Sequence, residues 1–586
     1  MYRFLHRITL KGGSIVKSRI SLIFSFIFIS FIAIWAFMVF SVRVIDVTFD
    51  DKLSLLSKMP NYFLPSLFLL ASLSLLSFYL RKSLWSMAFA GLFALYFCQT
   101  PWLIEPLRGI DTYYHFSRVQ VVIENGYVPG LADASSVPGG RYFQYPGSTI
   151  WSAMLLSVTG MASIEFVKYF FPILSTFVLY LGFLILVRKV CKSSLPLGPS
   201  LLFLSLFGYG GYLFSPFGFG WMLIPFLLFL LLKLERISSF MCFALLCFGL
   251  AISHPTTSAF FVVAFIILAF AIRVFRKRIA VHAELIWSRV LTFITIVLLW
   301  SSFEASRVFL PETASFIRTL FDRLFNPYEV IHRIQQPIYL LFEISVLRRI
   351  FVISTGIFAA IVILVGTFEI IRKRKADHEV IFAHKERLLV PISIAFAGLL
   401  LFPLFLISVP VFGLYYFFTF GLFGAAIGFG LLKVRSRKSF CLLGLFVLLL
   451  ITPAFVEAHP VEQYDIMRDS IHYGVKFTGQ YINCTEKTLV SPLCTQLYSF
   501  MDLVEWRNIQ MPLYSESENV FVSQVKKSNY FIFRMDGVYV SSLLFERVNP
   551  KDTKYLQISM RLLNDTFFDV LYSSESYIIF ANMKDV

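Results

Sequence analysis

Apolar residues run along this chain in blocks separated by short basic clusters. A helix needs about 20 apolar residues to cross a bilayer. The blocks Ile20–Val42, Tyr62–Leu80 and Ser83–Ile104 meet that length, or nearly so. Further blocks lie at Phe166–Val187, Leu197–Tyr212, Phe219–Leu232, Ile237–Ser253, Thr256–Ile272, Ile286–Ser302, Ile350–Phe368, Leu388–Val409, Tyr416–Leu432 and Phe440–Phe455. The uncharged runs Ser193–Leu232 and Leu388–Leu432 are each too long for one crossing, so each predicts a helix pair. Ile237–Ile272 predicts another pair, broken at His254-Pro255, because proline cannot continue a helix without losing a backbone bond. The pattern predicts a polytopic α-helical membrane protein with about thirteen spans.

The basic residues orient these spans. Arg3, Arg7, Lys11, Lys17 and Arg19 precede the first block and predict a cytoplasmic N-terminus. That block is long and lacks a small-residue cleavage site, so it reads as a retained span rather than a signal peptide. Tyr142–Ser163 decides the rest. As a span, it would turn Arg188/Lys189/Lys192, Lys233/Arg236, Arg273/Arg276/Lys277/Arg278 and Arg372–Lys375 outward, against the positive-inside rule. As a surface helix, it keeps every one of those clusters cytoplasmic. Pro146, Gly147 and Gly160 also argue against a regular span there. The C-terminus is then extracytoplasmic, and the expected location is an integral, multi-pass protein of the plasma membrane.

Composition strengthens this picture. Of 586 residues, 58% are hydrophobic and only 15% charged, against roughly 45–50% and about 25% in soluble chains. A soluble enzyme and a disordered chain are excluded as the main reading. The net charge of +17 would point to nucleic acid in a soluble protein. Here it serves to orient spans, and no nucleic-acid partner is expected. Seven cysteines with no CxxC or Cys/His cluster make neither a disulfide scaffold nor a metal motif.

Three outer pieces remain: Glu105–Glu165, Glu304–Arg349 and the tail Glu457–Val586. The chain therefore divides into a two-span extension (1–82), a membrane core (83–455, with outer loops 105–165 and 304–349) and an extracytoplasmic domain (456–586). The tail, about 130 residues, is large enough for a small domain. Strand-like runs at Val520–Val525, Tyr530–Met535, Val538–Leu544 and Tyr577–Ala581 alternate with helical stretches such as Val461–Tyr473, which predicts a mixed α/β fold. Cys484 and Cys494 are free to pair in an oxidising compartment. Asn483-Cys-Thr and Asn564-Asp-Thr are glycosylation sequons on the same side.

Candidate chemistry concentrates in the first outer loop. Between Gly109 and Gly126 the spacing predicts a helix with Asp111 as N-cap and Gly126 as the glycine just past its end. Phe116, Val119, Val122 and Ile123 form an apolar stripe suited to a membrane interface. Asp111, His115 and Arg118 fall at i, i+4 and i+7 on one face. That face offers an acid, an imidazole and a guanidinium. Arg118 has two readings, a phosphate ligand or a side chain snorkelling to the interface. Tyr145-Pro-Gly opens the second surface helix.

This loop resembles the first outer loop of the GT-C superfamily of lipid-phosphate-dependent membrane glycosyltransferases. The closest pattern is that of oligosaccharyltransferase catalytic subunits, D-x-Y-Y-H-x-x-R-x-x-x-x-x-x-N-G-x-x-P. It is matched by Asp111, Tyr113, Tyr114, His115, Arg118, Asn125, Gly126 and Pro129. Protein O-mannosyltransferases and aminoarabinose transferases share the layout more loosely. Such enzymes have a seven-span core followed by a longer outer loop. Counted from Ser83–Ile104, this chain gives seven spans and then Glu304–Arg349.

Two features depart from that pattern. The next outer loop, Phe207–Trp221, has no acidic residue, and the tail lacks a Trp-Trp-Asp-Tyr-Gly motif. Transfer of oligosaccharide to asparagine is therefore not expected. The missing second acid leaves the metal unassigned: one carboxylate rarely holds Mg²⁺ or Mn²⁺ tightly, so a divalent cation stays an open alternative.

The resemblance implies transfer of a sugar from a polyprenyl-phosphate-linked donor to a protein, glycan or lipid acceptor at the outer membrane face. A phosphate leaving group needs cations to stabilise developing charge, and arginine suits phosphate geometry. Arg118, Arg333, Arg348 and Arg349 are the candidates, the last two standing outside against the positive-inside trend. The acceptor hydroxyl needs a general base, for which Asp111 is the candidate, with His115 orienting it or binding phosphate. Glu304 and Glu343 are the candidates for a second acid. His254-Pro255 reads first as a helix break, with an intramembrane ionisable role as the alternative. The competing classes are a transporter or flippase for a lipid-linked sugar and an inactive scaffold subunit.

Overall fold

A computed structural model describes residues 13–41, 56, 59–100, 110–130, 143–161, 166–191, 197–207, 215–233, 237–274, 283–306, 389–398, 421–428 and 437–458, isolated positions between 310 and 368, and five strands between 488 and 582. The helices are α1 (Gly13–Ser41), α2 (Phe63–Tyr79), α3 (Ser83–Ala94, continued by a π turn Leu95–Gln99), α4 (Ile110–Asn125), α5 (Gly147–Thr159), α6 (Phe171–Cys191, preceded by a π turn Phe166–Phe170), α7 (Leu197–Phe207), α8 (Pro216–Leu232), α9 (Ile237–Ser253), α10 (Pro255–Val274) and α11 (Ala283–Leu299, continued by a π turn Trp300–Glu304). A further helix, Arg437–Ala458, packs on α2.

This is a helical membrane protein. Among the described residues, four helices are long and apolar enough to cross a bilayer: Ile20–Ser41, Phe171–Cys191, Pro255–Val274 and Glu284–Glu304. Shorter apolar helices, α2, α3 with its π turn, α7, α8, α9, Leu389–Gly398 and Phe440–Phe455, pack among them. Large apolar side chains on the outside, such as Phe26, Phe37, Phe40 and Leu245, form the surface a lipid phase would cover.

The expected helix pairs form. Ser193–Leu232 divides into α7 and α8, and Ile237–Ile272 into α9 and α10 with the break at His254. Within Leu388–Leu432, Leu389–Gly398 and 421–428 are both helical, and Gly424 lies so near Ala395 that a Cβ there would sit 2.9 Å from its backbone nitrogen. Tyr142–Ser163 contains a helix shorter than a bilayer crossing. Its helix, α5, has 13 residues, about 20 Å of rise against about 30 Å of hydrocarbon. It ends at Gly160 in the left-handed region, φ +62°.

Helix directions alternate, so one set of helix ends gathers at each end of the bundle. At one end, Gln99 Nε2 donates to Pro172 O (2.8 Å), Trp151 and Phe171 pack on Phe219, and Trp300 Nε1 donates to Gln144 O (3.1 Å). At the other end, Ser74 and Ser86 exchange hydroxyl-to-carbonyl bonds of 2.8 Å between α2 and α3, and Arg289 of α11 bonds the end of α8. The extension is attached to this core: Tyr96 OH donates to Phe31 O (2.7 Å), and Trp35 Nε1 donates to Thr100 Oγ1 (3.2 Å).

The tail carries a five-stranded sheet of order β2-β1-β3-β5-β4, from β1 (Thr488–Val490), β2 (Ile509–Gln510), β3 (Tyr530–Arg534), β4 (Phe568–Ser573) and β5 (Tyr577–Asn582). β1 pairs parallel with β2 and β3, while β5 pairs antiparallel with β3 and β4. Parallel neighbours need crossover connections, as in a mixed α/β fold. β3 and β5 match the expected runs at Tyr530 and Tyr577. β1, β2 and β4 have no counterpart among those runs. The runs Val520–Val525, Val538–Leu544 and Val461–Tyr473, and Cys484 and Cys494, lie outside the described residues.

Candidate functional site

The site begins with α4. Its C-terminus closes as the sequence predicts: Gly126 takes φ +73°, and its N–H donates to Val122 O at 3.0 Å, the single-bond left-handed cap. Its N-terminus differs by one step. The helix starts at Ile110, so Asp111 is its second residue and not its N-cap. A carboxylate in the first turn is still favoured by the helix dipole.

The surroundings of α4 correct the expectation of an interfacial stripe. Phe116, Val119 and Val122 are buried, but Ile123 is exposed, and Val121 and Arg118 are buried as well. Arg118 is only 1% exposed. It therefore does not snorkel to the interface. The helix is enclosed because α5 packs along it, covering positions the i, i+3, i+4 pattern leaves open.

α4, α5 and the N-terminus of α8 meet around a small, open cleft. Its walls are His115 and Val119 from α4, Ser148, Thr149 and Ser152 from α5, and Ser215, Pro216 and Phe219 from α8. Each wall has a local cause. α5 starts immediately after Tyr145-Pro146, and Gly147 lets it approach α9, since a Cβ there would lie 2.6 Å from Ser253 Oγ. α8 starts with Ser215, whose hydroxyl accepts from Gly218 N (3.2 Å), followed by proline at the first helical position. Sequence patterning does not single out Ser148, Thr149, Ser152 or Ser215. Their one available signal is a Ser-Thr pair opening a helix behind Pro-Gly, with no capping side chain before it.

His254 borders this region through Phe217, its ring 5.8 Å from that phenyl ring at 72°. It ends α9 and caps α10: Thr257 N donates to its Nδ1 at 3.1 Å, and Thr257 Oγ1 lies 2.7 Å away. Ser258 Oγ closes the break, donating to Leu250 O (3.1 Å) and His254 O (3.0 Å). Nδ1 accepts from the backbone N–H, so the ring is neutral with its proton on Nε2. Burial lowers its pKa from the ordinary histidine value, in the same sense. The helix-break reading of His254 is the one the geometry fits.

The remaining expected residues divide. Glu304 ends the π turn after α11 and is exposed. Trp300, one turn earlier, ties that turn to Gln144 at the entry to α5, so Glu304 stands at the same end of the bundle as the cleft. It does not line the cleft. Arg118 does not line it either. Arg333, Arg348, Arg349 and Glu343 lie outside the described residues. Among the described residues, no three His, Cys, Asp or Glu side chains converge to hold a metal. No step is assigned to a metal.

The arrangement is a helix bundle with a hydroxyl-lined cleft at one end, free of carboxylates among the described residues, and Asp111 one helical turn from His115. No protein-family model matches the chain, and no curated protein matches it.

Proposed function

We propose that this protein transfers a sugar from a polyprenyl-phosphate-linked donor to an acceptor at the extracytoplasmic membrane face. The observation that supports this most is α4 itself. It brings Asp111 and His115 to the end of the bundle where α5, α8, α9, α10 and α11 also present their ends. The two residues stand four positions apart, about 6 Å along the axis. That rise suits a sugar held between a base and a leaving phosphate.

In the reaction, the acceptor oxygen forms a bond to the anomeric carbon as the bond from that carbon to the phosphate oxygen breaks. The electron pair of the broken bond leaves with the phosphate. The acceptor's proton goes to the Asp111 carboxylate. His115 and arginines from the loop Glu304–Arg349, with Arg333, Arg348 and Arg349 the candidates, stabilise the charge that develops on phosphate. Exposed apolar helix faces give the polyprenyl chain a surface. The full topology in this reading has thirteen spans, with the N-terminus cytoplasmic, the C-terminus extracytoplasmic, and the 456–586 domain outside.

The absence of a second acid in Phe207–Trp221 favours one rival, a GT-C-like subunit that binds the lipid without cleaving it. Transfer of label from a polyprenyl-phosphate sugar in proteoliposomes decides between them. Wild type is expected to transfer. Asp111→Asn should be slower by about 10²- to 10⁴-fold. Equal rates in wild type and variant would remove Asp111 from the mechanism, and inactivity of both across a broad donor panel would leave the binding-only reading. An EDTA arm reports metal dependence directly.

A further inference from the structure

Two helix N-termini face the cleft, and they are finished differently. α8 is capped by its own Ser215 hydroxyl, and its first helical residue is a proline with no N–H to satisfy. α5 is left open. Its N-cap position is Pro146, which offers no side-chain acceptor, and the first backbone bond runs from Ile150 N to Pro146 O at 2.8 Å. The N–H groups of Gly147, Ser148 and Thr149 therefore find no acceptor among the described residues.

The side chains of that turn are uncommitted as well. Ser148 is 6% exposed and Thr149 4%, and both line the cleft. Neither hydroxyl has a hydrogen-bond partner among the described residues, and neither oxygen is sealed from the cleft. Ser152, one turn further, is different: its hydroxyl is committed to Ser148 O at 2.8 Å. Polar groups that open on a cleft without protein partners are ready to bond a ligand. Here two of them sit beside three open N–H groups and the positive end of a 13-residue helix. Among the described residues no carboxylate lines the cleft, and the His115 imidazole supplies a further polar wall. This is a donor-rich concavity that asks for an anion.

Size narrows the anion. The cleft is small and open to the outside. Only a compact anionic group can approach the open turn at its mouth, and whatever bears that group must extend outside.

We infer that the first turn of α5, with the Ser148 and Thr149 hydroxyls and His115 opposite, is a phosphate-binding site for the lipid-linked donor. The assignment of the phosphate to that donor rests on the transferase reading. It places the leaving group on α5 and α8, leaving Asp111 a turn away for the acceptor.

The test is binding of a short-chain polyprenyl phosphate to the full-length protein in nanodiscs, with the matching polyprenol and inorganic phosphate as the other two arms. The Ser148→Ala/Thr149→Val variant should bind polyprenyl phosphate about 10- to 100-fold more weakly, as expected for lost hydrogen bonds to a charged group. Its polyprenol binding should not change. Thr149→Ser, which keeps the hydroxyl, should retain most of the affinity and guards against a folding artefact. Unchanged polyprenyl phosphate binding in the double variant would overturn the site. Inorganic phosphate binding as tightly as the lipid, and lost in the same variant, would overturn the lipid assignment. The two proposals fail separately. Transfer that depends on Asp111, with binding indifferent to Ser148 and Thr149, sinks the site alone. Binding that depends on them, without transfer from any donor, sinks the transferase reading alone.

Discussion

The two ends of the helix bundle treat their polar groups in opposite ways. Where α8, α9 and α11 meet, Arg289 is 3% exposed and bonded to the protein. One guanidinium nitrogen donates to Leu230 O and another to Ser239 Oγ (3.1 Å). Ser239 in turn donates to Lys233 O at 2.9 Å, and the guanidinium lies 5.7 Å from the Phe243 ring centroid. A cation on the last carbonyls of α8 is where the helix dipole favours one. At the opposite end, α5 leaves its first-turn donors and two hydroxyls open on the cleft. A buried cation held by two protein acceptors and an aromatic ring is scaffold, and replacing it costs stability. Open donors cost stability in the free protein and gain it when a ligand arrives.

That contrast can be broken by measurement. The largest effect expected is on rate: Asp111→Asn should lower transfer by about 10²- to 10⁴-fold while leaving the unfolding midpoint in detergent in place. A midpoint that falls with the rate would make Asp111 structural. Next, Arg289→Met should destabilise the protein by about 2–3 kcal/mol, the cost of orphaning buried polar groups that had a charged partner. Polyprenyl phosphate binding by the molecules that remain folded should be normal. A binding defect at unchanged stability would erase the distinction between the two ends.

Smaller effects sharpen it. His254→Leu removes the cap of α10 and should cost about 1 kcal/mol, whereas His254→Asn should restore most of it. The pH dependence of this cap follows from the lowered pKa. The folded protein holds the neutral ring, so the full contribution is present above the unfolded value of 6.5. It is lost as pH falls toward the folded value. Thermal melts across that acidic range should show wild type losing stability relative to His254→Asn. A constant difference would mean that the imidazole does not titrate there. The smallest effect expected is from Gly126→Ala, about 1 kcal/mol for a side chain in the left-handed region. It should reduce binding only as far as α4 frays.

Punctuation is legible in the amino-acid sequence. Pro255 after His254 has to break the helix, Gly126 has to end one, and Tyr145-Pro-Gly has to start one. Each acts through backbone constraints that no tertiary contact removes. The short α5 is legible too, because only a non-spanning segment there keeps the basic loops on one side. The position of Asp111 comes out one step off, since an N-cap preference does not say whether the turn begins a residue earlier. Arg118 is harder to read for a deeper reason. The i, i+7 spacing assigns it to a face of α4, but spacing carries no information about which helix covers that face. The cleft is illegible for the same reason. Ser148 and Ser215 are far apart in the sequence, and each looks like an ordinary helix opening.

By itself, then, the sequence determined a bundle of apolar helices, their breaks and ends, and α4 as the carrier of Asp111 and His115. These follow from hydrophobicity, chain stiffness and the hydrogen-bond needs of the backbone, which are local quantities. Only the tertiary structure decided that Arg118 and Arg289 are both buried, that α8 is capped while α5 is not, and that α5's open turn faces His115. Such facts depend on which distant surfaces pack together, because a polar group's cost or use is set by the partner it meets and not by its own identity.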